Sequence, residues 1–116
     1  MSLKFCFIGA GNLANHLSKA LQSGGFNISQ IYSRTELSAR NLADKLSTQY
    51  TTSIKNIDSE ADVYFVALKD SVVENVLSQI NFKNKLLVHC SGSLPLSILK
   101  KYSENIGVLY LSLIHI

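Results

Sequence analysis

The amino-acid sequence predicts an α/β protein built on a doubly wound parallel sheet. Short apolar strands alternate with helical stripes of apolar residues, which is the pattern of a parallel sheet covered by helices on both faces. The first strand runs directly into a turn, Gly9 to Gly11, and a helical pattern follows it. The chain has 116 residues, 47% of them hydrophobic and 16% charged, so it is long enough for one modest core and too short for two domains.

Five segments are predicted to be strands, and a sixth begins near the C-terminus. The segments are short, most are apolar, and turn-forming residues separate them from the helices. The predicted strands are Lys4–Ile8, Asn27–Tyr32, Gln49–Thr52, Val63–Leu68 and Leu86–Cys90, with the sixth beginning over Val108–Tyr110. The segment Ile54–Ser59 is predicted to be a connector.

Helices are predicted between the strands from apolar residues three and four positions apart. The first begins at about Leu13, the second follows Thr35, the third has Asp70 as its N-cap, and a fourth has Pro95 in its first turn, where the missing N–H costs nothing. The apolar stripes are Leu13, Leu17, Ala20 and Leu21 in the first helix, Ala39, Leu42, Ala43 and Leu46 in the second, and Val72, Val73, Val76, Leu77 and Ile80 in the third.

The turn after the first strand has the G-x-G-x-x-A pattern of a dinucleotide-binding fold. Gly9 allows a sharp turn, Gly11 lets the backbone approach a pyrophosphate, and the small Ala14 lets the helix pack closely on the sheet. The helix N-terminus directs free N–H groups at the phosphates. We therefore predict cofactor contacts from Gly9, Ala10, Gly11, Asn12, Leu13 and Ala14. The alternative is a strand-to-helix turn that binds no ligand.

The end of the second strand indicates which dinucleotide is bound. NAD-binding versions of this fold carry an Asp or Glu there, which accepts hydrogen bonds from the ribose 2′-OH. This chain instead reads Ser33-Arg34-Thr35, a guanidinium and two hydroxyls that suit the 2′-phosphate of NADP. We predict NADP, with Arg34 as the main discriminator. The alternative is that Arg34 is solvated and Thr35 only caps the next helix; Glu36 is expected to be a first-turn helix charge.

Two further strand ends are predicted to border the cofactor, because ligands of doubly wound sheets collect at the carboxyl ends of the strands near the switch point. Ala67 and Leu68 would lie along the ribose and pyrophosphate. Ser91, with Ser93, would lie near the nicotinamide, or else would serve only as turn residues around a glycine. His89 is expected to be an interior histidine rather than an acid or base, and the sequence identifies no catalytic residue.

Composition and charge exclude several classes of protein. The formal net charge is +3, and the basic residues are scattered, so nucleic-acid binding is not indicated. The N-terminal apolar stretch is only one strand long, which predicts neither a signal peptide nor a membrane span and gives the cytoplasm as the expected compartment. The two cysteines, Cys6 and Cys90, are expected to be buried small hydrophobes, with no disulfide and no metal.

Three motifs carry a resemblance to a known family: I-G-A-G-N-L-A at Ile8–Ala14, Y-S-R-T at Tyr32–Thr35, and V-H-C-S-G-S-L-P-L at Val88–Leu96. The chain, to Tyr110, resembles the N-terminal half of Rossmann-like proteins that carry a C-terminal domain of unknown function. These are described as NADP oxidoreductases of the deazaflavin-dependent NADP reductase and pyrroline-5-carboxylate reductase type. The resemblance implies a following helical domain, absent here, that completes the substrate pocket and often a homodimer.

The last six residues depart from the family pattern. The family continues with a proline-containing polar segment, whereas this chain reads Leu111-Ser112-Leu113-Ile114-His115-Ile116. One frame of a common transposase adapter used in sequencing libraries would encode that hexapeptide. We expect residues 1–110 to be a truncated NADP-binding Rossmann domain and residues 111–116 to be a non-native, adapter-derived tail. The alternative is a genuine apolar C-terminal strand.

The predicted function is that of the NADP(H)-binding domain of an oxidoreductase. Such an enzyme transfers a hydride between nicotinamide and a small substrate, which the sequence does not identify. A nucleotide domain supplies only one wall of the reaction site, so the isolated chain is expected to bind cofactor better than it catalyses. The alternative is a non-catalytic NADP(H)-sensing module, because a fold by itself does not determine function.

Overall fold

The computed structural model describes residues 3–68, 70–80, 85–89 and 105–108. Strands and helices alternate along these residues, as predicted. In chain order they are β1 (Lys4–Ile8), α1 (Asn12–Ser23), β2 (Asn27–Tyr32), α2 (Glu36–Leu46), β3 (Gln49–Thr51), a 3₁₀ turn (Ile54–Asn56), β4 (Val63–Val66), α3 (Asp70–Leu77), β5 (Leu86–His89) and β6 (Asn105–Val108).

The strands form one parallel sheet in the order β3-β2-β1-β4-β5-β6. The chain begins in the middle of the sheet, extends to one edge through β2 and β3, and then crosses back to place β4 on the other side of β1. The predicted doubly wound α/β class is therefore confirmed. The switch point lies between β1 and β4, where the loops that follow the two strands diverge and leave a crevice at their carboxyl ends.

The register places the ends of four neighbouring strands at one level. Ile8 pairs with Tyr32 on one side and with Val66 on the other, and Tyr32 pairs in turn with Thr51. The loops that follow β1, β2, β3 and β4 therefore start side by side along one edge of the sheet. This alignment brings segments far apart in sequence to one site.

Apolar side chains cover both faces of the sheet, as expected for parallel strands buried on two sides. Alternate residues of β1 point to opposite faces: Phe5 and Phe7 belong to one core cluster, and Cys6 and Ile8 belong to the other. In the first cluster the Phe7 and Phe65 rings stack with centroids 5.0 Å apart. The helices α1 and α2 cover this face, and α3 covers the other.

Several element boundaries differ from the prediction. β4 ends at Val66 rather than Leu68, β3 ends one residue early, and β6 begins at Asn105 rather than Val108. The predicted connector after β3 contains the 3₁₀ turn. Asn105 is polar and Gly107 has no side chain, so this segment shows no apolar pattern from which a strand could be predicted. Its backbone nevertheless pairs with β5, because the hydrogen bonds between strands do not depend on side-chain polarity.

Some predictions fall on residues outside the described part of the chain. These are the end of the fifth strand at Cys90, the polar contacts of Ser91 and Ser93, the helix at Pro95, and the tail at residues 111–116. Within the described ranges, no helix is both long and apolar enough to cross a membrane.

Candidate functional site

A cavity of about 780 Å³ lies at the carboxyl ends of the central strands. This volume is within the range typical of small-molecule and cofactor sites. Its lining residues come from the loops after β1, β2, β3 and β4 and from α3. They are Gly9, Ala10, Gly11, Tyr32, Ser33, Arg34, Thr35, Thr52, Ser53, Ile54, Lys55, Ala67, Leu68, Val72, Asn75, Val76 and Gln79.

Gly9 is required by the protein's own packing. Its φ is +122°, a conformation that residues with a side chain rarely adopt. A Cβ at this position would also lie 2.3 Å from the carbonyl oxygen of Ala67, at the end of β4. The Gly9 N–H donates to the carbonyl of Tyr32 at 2.7 Å, and the Ala67 N–H donates to that of Ile8 at 2.9 Å. The turn is therefore held tightly between β2 and β4.

Gly11 has no such requirement from the described part of the chain. Its φ is −78°, which any residue can adopt, and a Cβ built on it meets no atom of the described residues within 4 Å. The open space lies at the cavity wall, where a Cβ would enter the volume available to a ligand. A glycine here leaves room for a pyrophosphate to approach the backbone, so the turn fits the predicted cofactor.

The start of α1 supplies hydrogen-bond donors next to Gly11. No described residue accepts a hydrogen bond from the N–H groups of residues 10 to 14, and α1 has neither a side-chain cap nor an acidic residue in its first turn. Free N–H groups and a positive helix end attract an anion. These donors suit a pyrophosphate.

The predicted residues Asn12, Leu13 and Ala14 do not line the cavity with their side chains. Ala14 is fully buried, Leu13 packs against the same core cluster, and Asn12 is exposed. Any contact that these three residues make with a phosphate would therefore come from their backbone N–H groups.

Asn15 is a structural support of the turn that the sequence analysis did not identify. Its side-chain amide donates to the carbonyls of Ala10, at 3.2 Å, and Gly11, at 3.0 Å. With these carbonyls held by Asn15, the N–H groups of the same peptide units remain available to a ligand. An asparagine four residues after the second glycine is the only trace of this role in the sequence.

The segment after β2 places hydroxyls and a cation on the cavity wall. The Ser33 N–H donates to the Thr51 carbonyl at 3.2 Å, and the Ser33 hydroxyl oxygen accepts from the Thr35 N–H at 3.2 Å. Thr35 occupies the N-cap position of α2, but its side chain makes no capping hydrogen bond. Arg34 is exposed beside them. Glu36 points elsewhere, since its carboxylate accepts from the Tyr50 hydroxyl at 3.4 Å.

Two parts of the cavity lining were not predicted. Thr52, Ser53, Ile54 and Lys55 follow β3, and Val72, Asn75, Val76 and Gln79 come from α3 and the turn after it. The sequence of these segments indicates only a connector and an amphipathic helix. The connector reaches the cavity because β3 pairs with β2, and the sequence does not reveal that pairing. Ala67 and Leu68, both half-buried, line the cavity, and their contact with a cofactor stays a prediction. Only the backbone of His89 is described.

The charged side chains that line the cavity within the described part of the chain are all positive. They are Arg34 and Lys55, and the same residues include no carboxylate, histidine or cysteine. The buried Cys6 lies below the site, and burial followed by the nearby Asp58 charge raises the pKa of its thiol, so it remains protonated and unreactive. The arrangement is suited to holding an anionic ligand rather than to donating or accepting protons.

Comparison with known proteins identifies the family to which the chain belongs. The family model described as NADP oxidoreductase, coenzyme F420-dependent, matches residues 4–92, which is most of the chain. No protein of curated function matches the sequence.

Among solved structures, the putative NADP oxidoreductase from Bacteroides fragilis is 40% identical, with a TM-score of 0.85 over 94% of this chain and 44% of its own. The 1-pyrroline-5-carboxylate reductase from Streptococcus pyogenes shares the fold at 20% identity, with a TM-score of 0.75 over 94% of this chain and 42% of its own. A pyrroline-5-carboxylate reductase from Coxiella burnetii shares it at 18% identity, with a TM-score of 0.76 over 88% and 40% of the two chains.

The present chain thus spans less than half the length of these structures. The chain belongs to the family of NADP oxidoreductases described as coenzyme F420-dependent, and it is an NAD(P)-binding oxidoreductase domain.

Proposed function

We propose that this domain binds NADP(H) in preference to NAD(H). The observation that carries the proposal is the charge of the cavity, where Arg34 follows β2 and none of the described lining residues is a carboxylate. NAD-binding sites place an acidic residue at this point to accept from the ribose 2′-OH. A guanidinium, flanked here by the hydroxyls of Ser33 and Thr35, instead offers charge-assisted hydrogen bonds to a 2′-phosphate.

The remaining contacts are shared by both dinucleotides. The free N–H groups of residues 10 to 14 would hold the pyrophosphate, and Gly11 leaves the space for it. Ala67 and Leu68 would lie along the adjacent ribose. Ser91, which lies outside the described residues, stays a predicted contact near the nicotinamide.

We further propose that the domain serves an oxidoreductase acting on a small substrate. Bound NADPH supplies a hydride, and the enzyme must enclose the nicotinamide against the substrate. The relatives are more than twice as long as the part that this chain covers. We place the second wall of the pocket in a helical domain that corresponds to this remaining length and that also forms a homodimer.

A second candidate, an NADP(H) sensor, is favoured by one observation. The cavity lining within the described residues contains no side chain of His, Asp, Glu or Cys. Such a cavity can bind a dinucleotide without performing acid–base chemistry. Turnover of NADPH by the full-length protein would support the enzyme, whereas saturable binding without turnover on any substrate of a broad imine and carbonyl panel would support the sensor.

The cofactor preference is tested by titrating the purified protein, and its Arg34→Ala variant, with NADPH and with NADH. We expect the native chain to prefer NADPH. Arg34→Ala should lower the affinity for NADPH ten- to a hundredfold, which corresponds to about 1.5–3 kcal/mol for a charge-assisted contact. The same substitution should change the affinity for NADH less than twofold. Equal losses for both nucleotides would remove Arg34 from the discriminating role.

Arg40→Ala is a matched control for this titration. Arg40 is an exposed arginine of α2 that does not line the cavity, so its removal lowers the net charge equally without touching the site. NADPH affinity should stay within twofold of the native value. Circular dichroism of each variant verifies that it is folded.

A further inference from the structure

A second cation lines the cavity. The proposed role of Arg34 in distinguishing NADP(H) from NAD(H) does not involve it. Lys55 lies in the 3₁₀ turn after β3, in a segment whose sequence predicted only a connector. It is exposed, and it lines the same cavity as Arg34. Neither residue has an ion-pair partner within the described ranges.

The sheet brings the two cations to the same side of the site. β2 and β3 are hydrogen-bonded neighbours with Tyr32 opposite Thr51, and paired strands lie about 4.8 Å apart. The Ser33 N–H extends this pairing by one bond, to the Thr51 carbonyl at 3.2 Å. The segments that carry Arg34 and Lys55 therefore leave two adjacent strand ends and border one volume.

The turn that carries Lys55 is anchored on both sides of that residue. Ile54 packs against the core cluster on the α3 face, and Ile57 is buried within it. The buried Gln30 of β2 donates to the Asn56 carbonyl at 3.0 Å and accepts from the Asp58 N–H at 2.7 Å. An exposed lysine on so well fixed a backbone is held at the cavity wall rather than carried on a loose loop.

Two unpaired cations beside one cavity repel each other unless an anion lies between them. The ligand group that matches is a phosphate carrying close to two negative charges, and lysine binds phosphate as a point charge beside the planar fork of arginine. We propose that Lys55 is a second ligand of the nucleotide 2′-phosphate, acting together with Arg34. This inference rests on the proposed preference for NADP(H) and adds a specificity-determining residue to it.

The test uses two small probes that differ by the phosphate in question, adenosine 2′,5′-bisphosphate and adenosine 5′-monophosphate. Both lack nicotinamide, so the result does not depend on hydride transfer or on a second domain. We expect Lys55→Gln to lower the affinity for the bisphosphate roughly tenfold and the affinity for the monophosphate less than twofold. The reason is that loss of one charge-assisted contact lowers affinity about tenfold or more. Lys55→Arg, which keeps the charge, should retain most of the preference.

Lys45→Gln is the matched control, because Lys45 is an exposed lysine in the last turn of α2, away from the cavity, and its loss changes the net charge by the same amount. It should leave the ratio of the two affinities unchanged. Thermal unfolding followed by circular dichroism verifies that each variant is folded.

The outcomes separate this inference from the proposed function. If the native chain binds both probes equally, the preference for NADP(H) itself is wrong. If the native chain prefers the bisphosphate and Lys55→Gln keeps that preference, or lowers both affinities equally, the role of Lys55 at the 2′-phosphate is wrong and the role of Arg34 stands.

Discussion

The two glycines of the turn after β1 are needed for different physical reasons. Gly9 has a positive φ and has Ala67 pressed against the position of its missing side chain. Gly11 has an ordinary φ and empty space in the same place. Gly9 is therefore needed by the fold, whereas the role that we propose for Gly11 is to leave space for the ligand, although the motif presents the two glycines as equivalent.

This difference predicts opposite effects of substitution. Gly11→Val should lower NADPH and NADH affinity more than tenfold, because a branched side chain would occupy the space for the pyrophosphate, and should reduce the free energy of unfolding by no more than about 1 kcal/mol through a poorer N-cap. Gly9→Ala should instead destabilise the protein by at least about 1–3 kcal/mol, because the left-handed backbone and the Ala67 contact resist any Cβ. Urea unfolding and nucleotide titration measure the two effects.

A Gly11→Val protein that binds both nucleotides normally would show that no ligand uses this turn. A Gly9→Ala protein as stable as the native chain would show that the backbone at residue 9 relaxes into another conformation. Because the two glycines are neighbours in one turn, each variant serves as the control for the other.

At the scale of elements, the connection from the turn to α1 depends on a side chain. Asn15 holds the carbonyls of Ala10 and Gly11, so the N–H groups around them are already aligned before a ligand arrives. Such preorganisation reduces the entropy lost on binding. The site is therefore a turn and a helix joined by hydrogen bonds, rather than a glycine loop alone.

Asn15→Ala should lower the affinities for NADPH and for NADH to the same extent, because both nucleotides contain the pyrophosphate. The two lost hydrogen bonds are worth about 0.5–1.5 kcal/mol each, so we expect a loss of roughly two- to tenfold when part of that energy appears in binding. Isothermal titration calorimetry with each nucleotide measures it. His16→Ala is the control, since His16 is the next residue of the same helix and is exposed. A loss confined to NADPH would contradict this role for Asn15.

Sequence patterns predicted the elements well because periodicity and turn chemistry are local. The helical stripes and the strand before the turn required no knowledge of neighbouring elements. The end of β4 and the start of β6 were misplaced because strand limits depend on which backbone groups find a partner. Lys55 was missed for a related reason: nothing in Ile54–Ser59 reveals that β3 lies beside β2.

At the scale of the whole molecule, the cavity exists only when four strand ends are assembled in register. Ligand binding should therefore stabilise the complete fold. NADPH at one hundred times its Kd should raise the free energy of unfolding by about 2.7 kcal/mol, and NADH at the same concentration should raise it less. Thermal unfolding followed by far-UV circular dichroism measures both effects.

Gly11→Val provides the control for this stabilisation, since it should melt at the same temperature with and without NADPH. A native chain whose unfolding temperature does not respond to either nucleotide would contradict the proposed function for this length of chain. Larger stabilisation by NADH than by NADPH would reverse the proposed preference.

The sequence by itself determined the fold class and the family, and it predicted the edge of the sheet at which we propose that a nucleotide binds. Each of these follows from local signals, namely apolar periodicity, a glycine turn between a strand and a helix, and an arginine where an acidic residue would otherwise stand. Tertiary structure alone decided how Gly9 and Gly11 differ in their surroundings, which connector lies beside the segment of Arg34 at the cavity, and that no carboxylate of the described residues lines it. These properties depend on strand order and register, which bring together residues that are distant in the chain and carry no mark of that proximity in their own sequence.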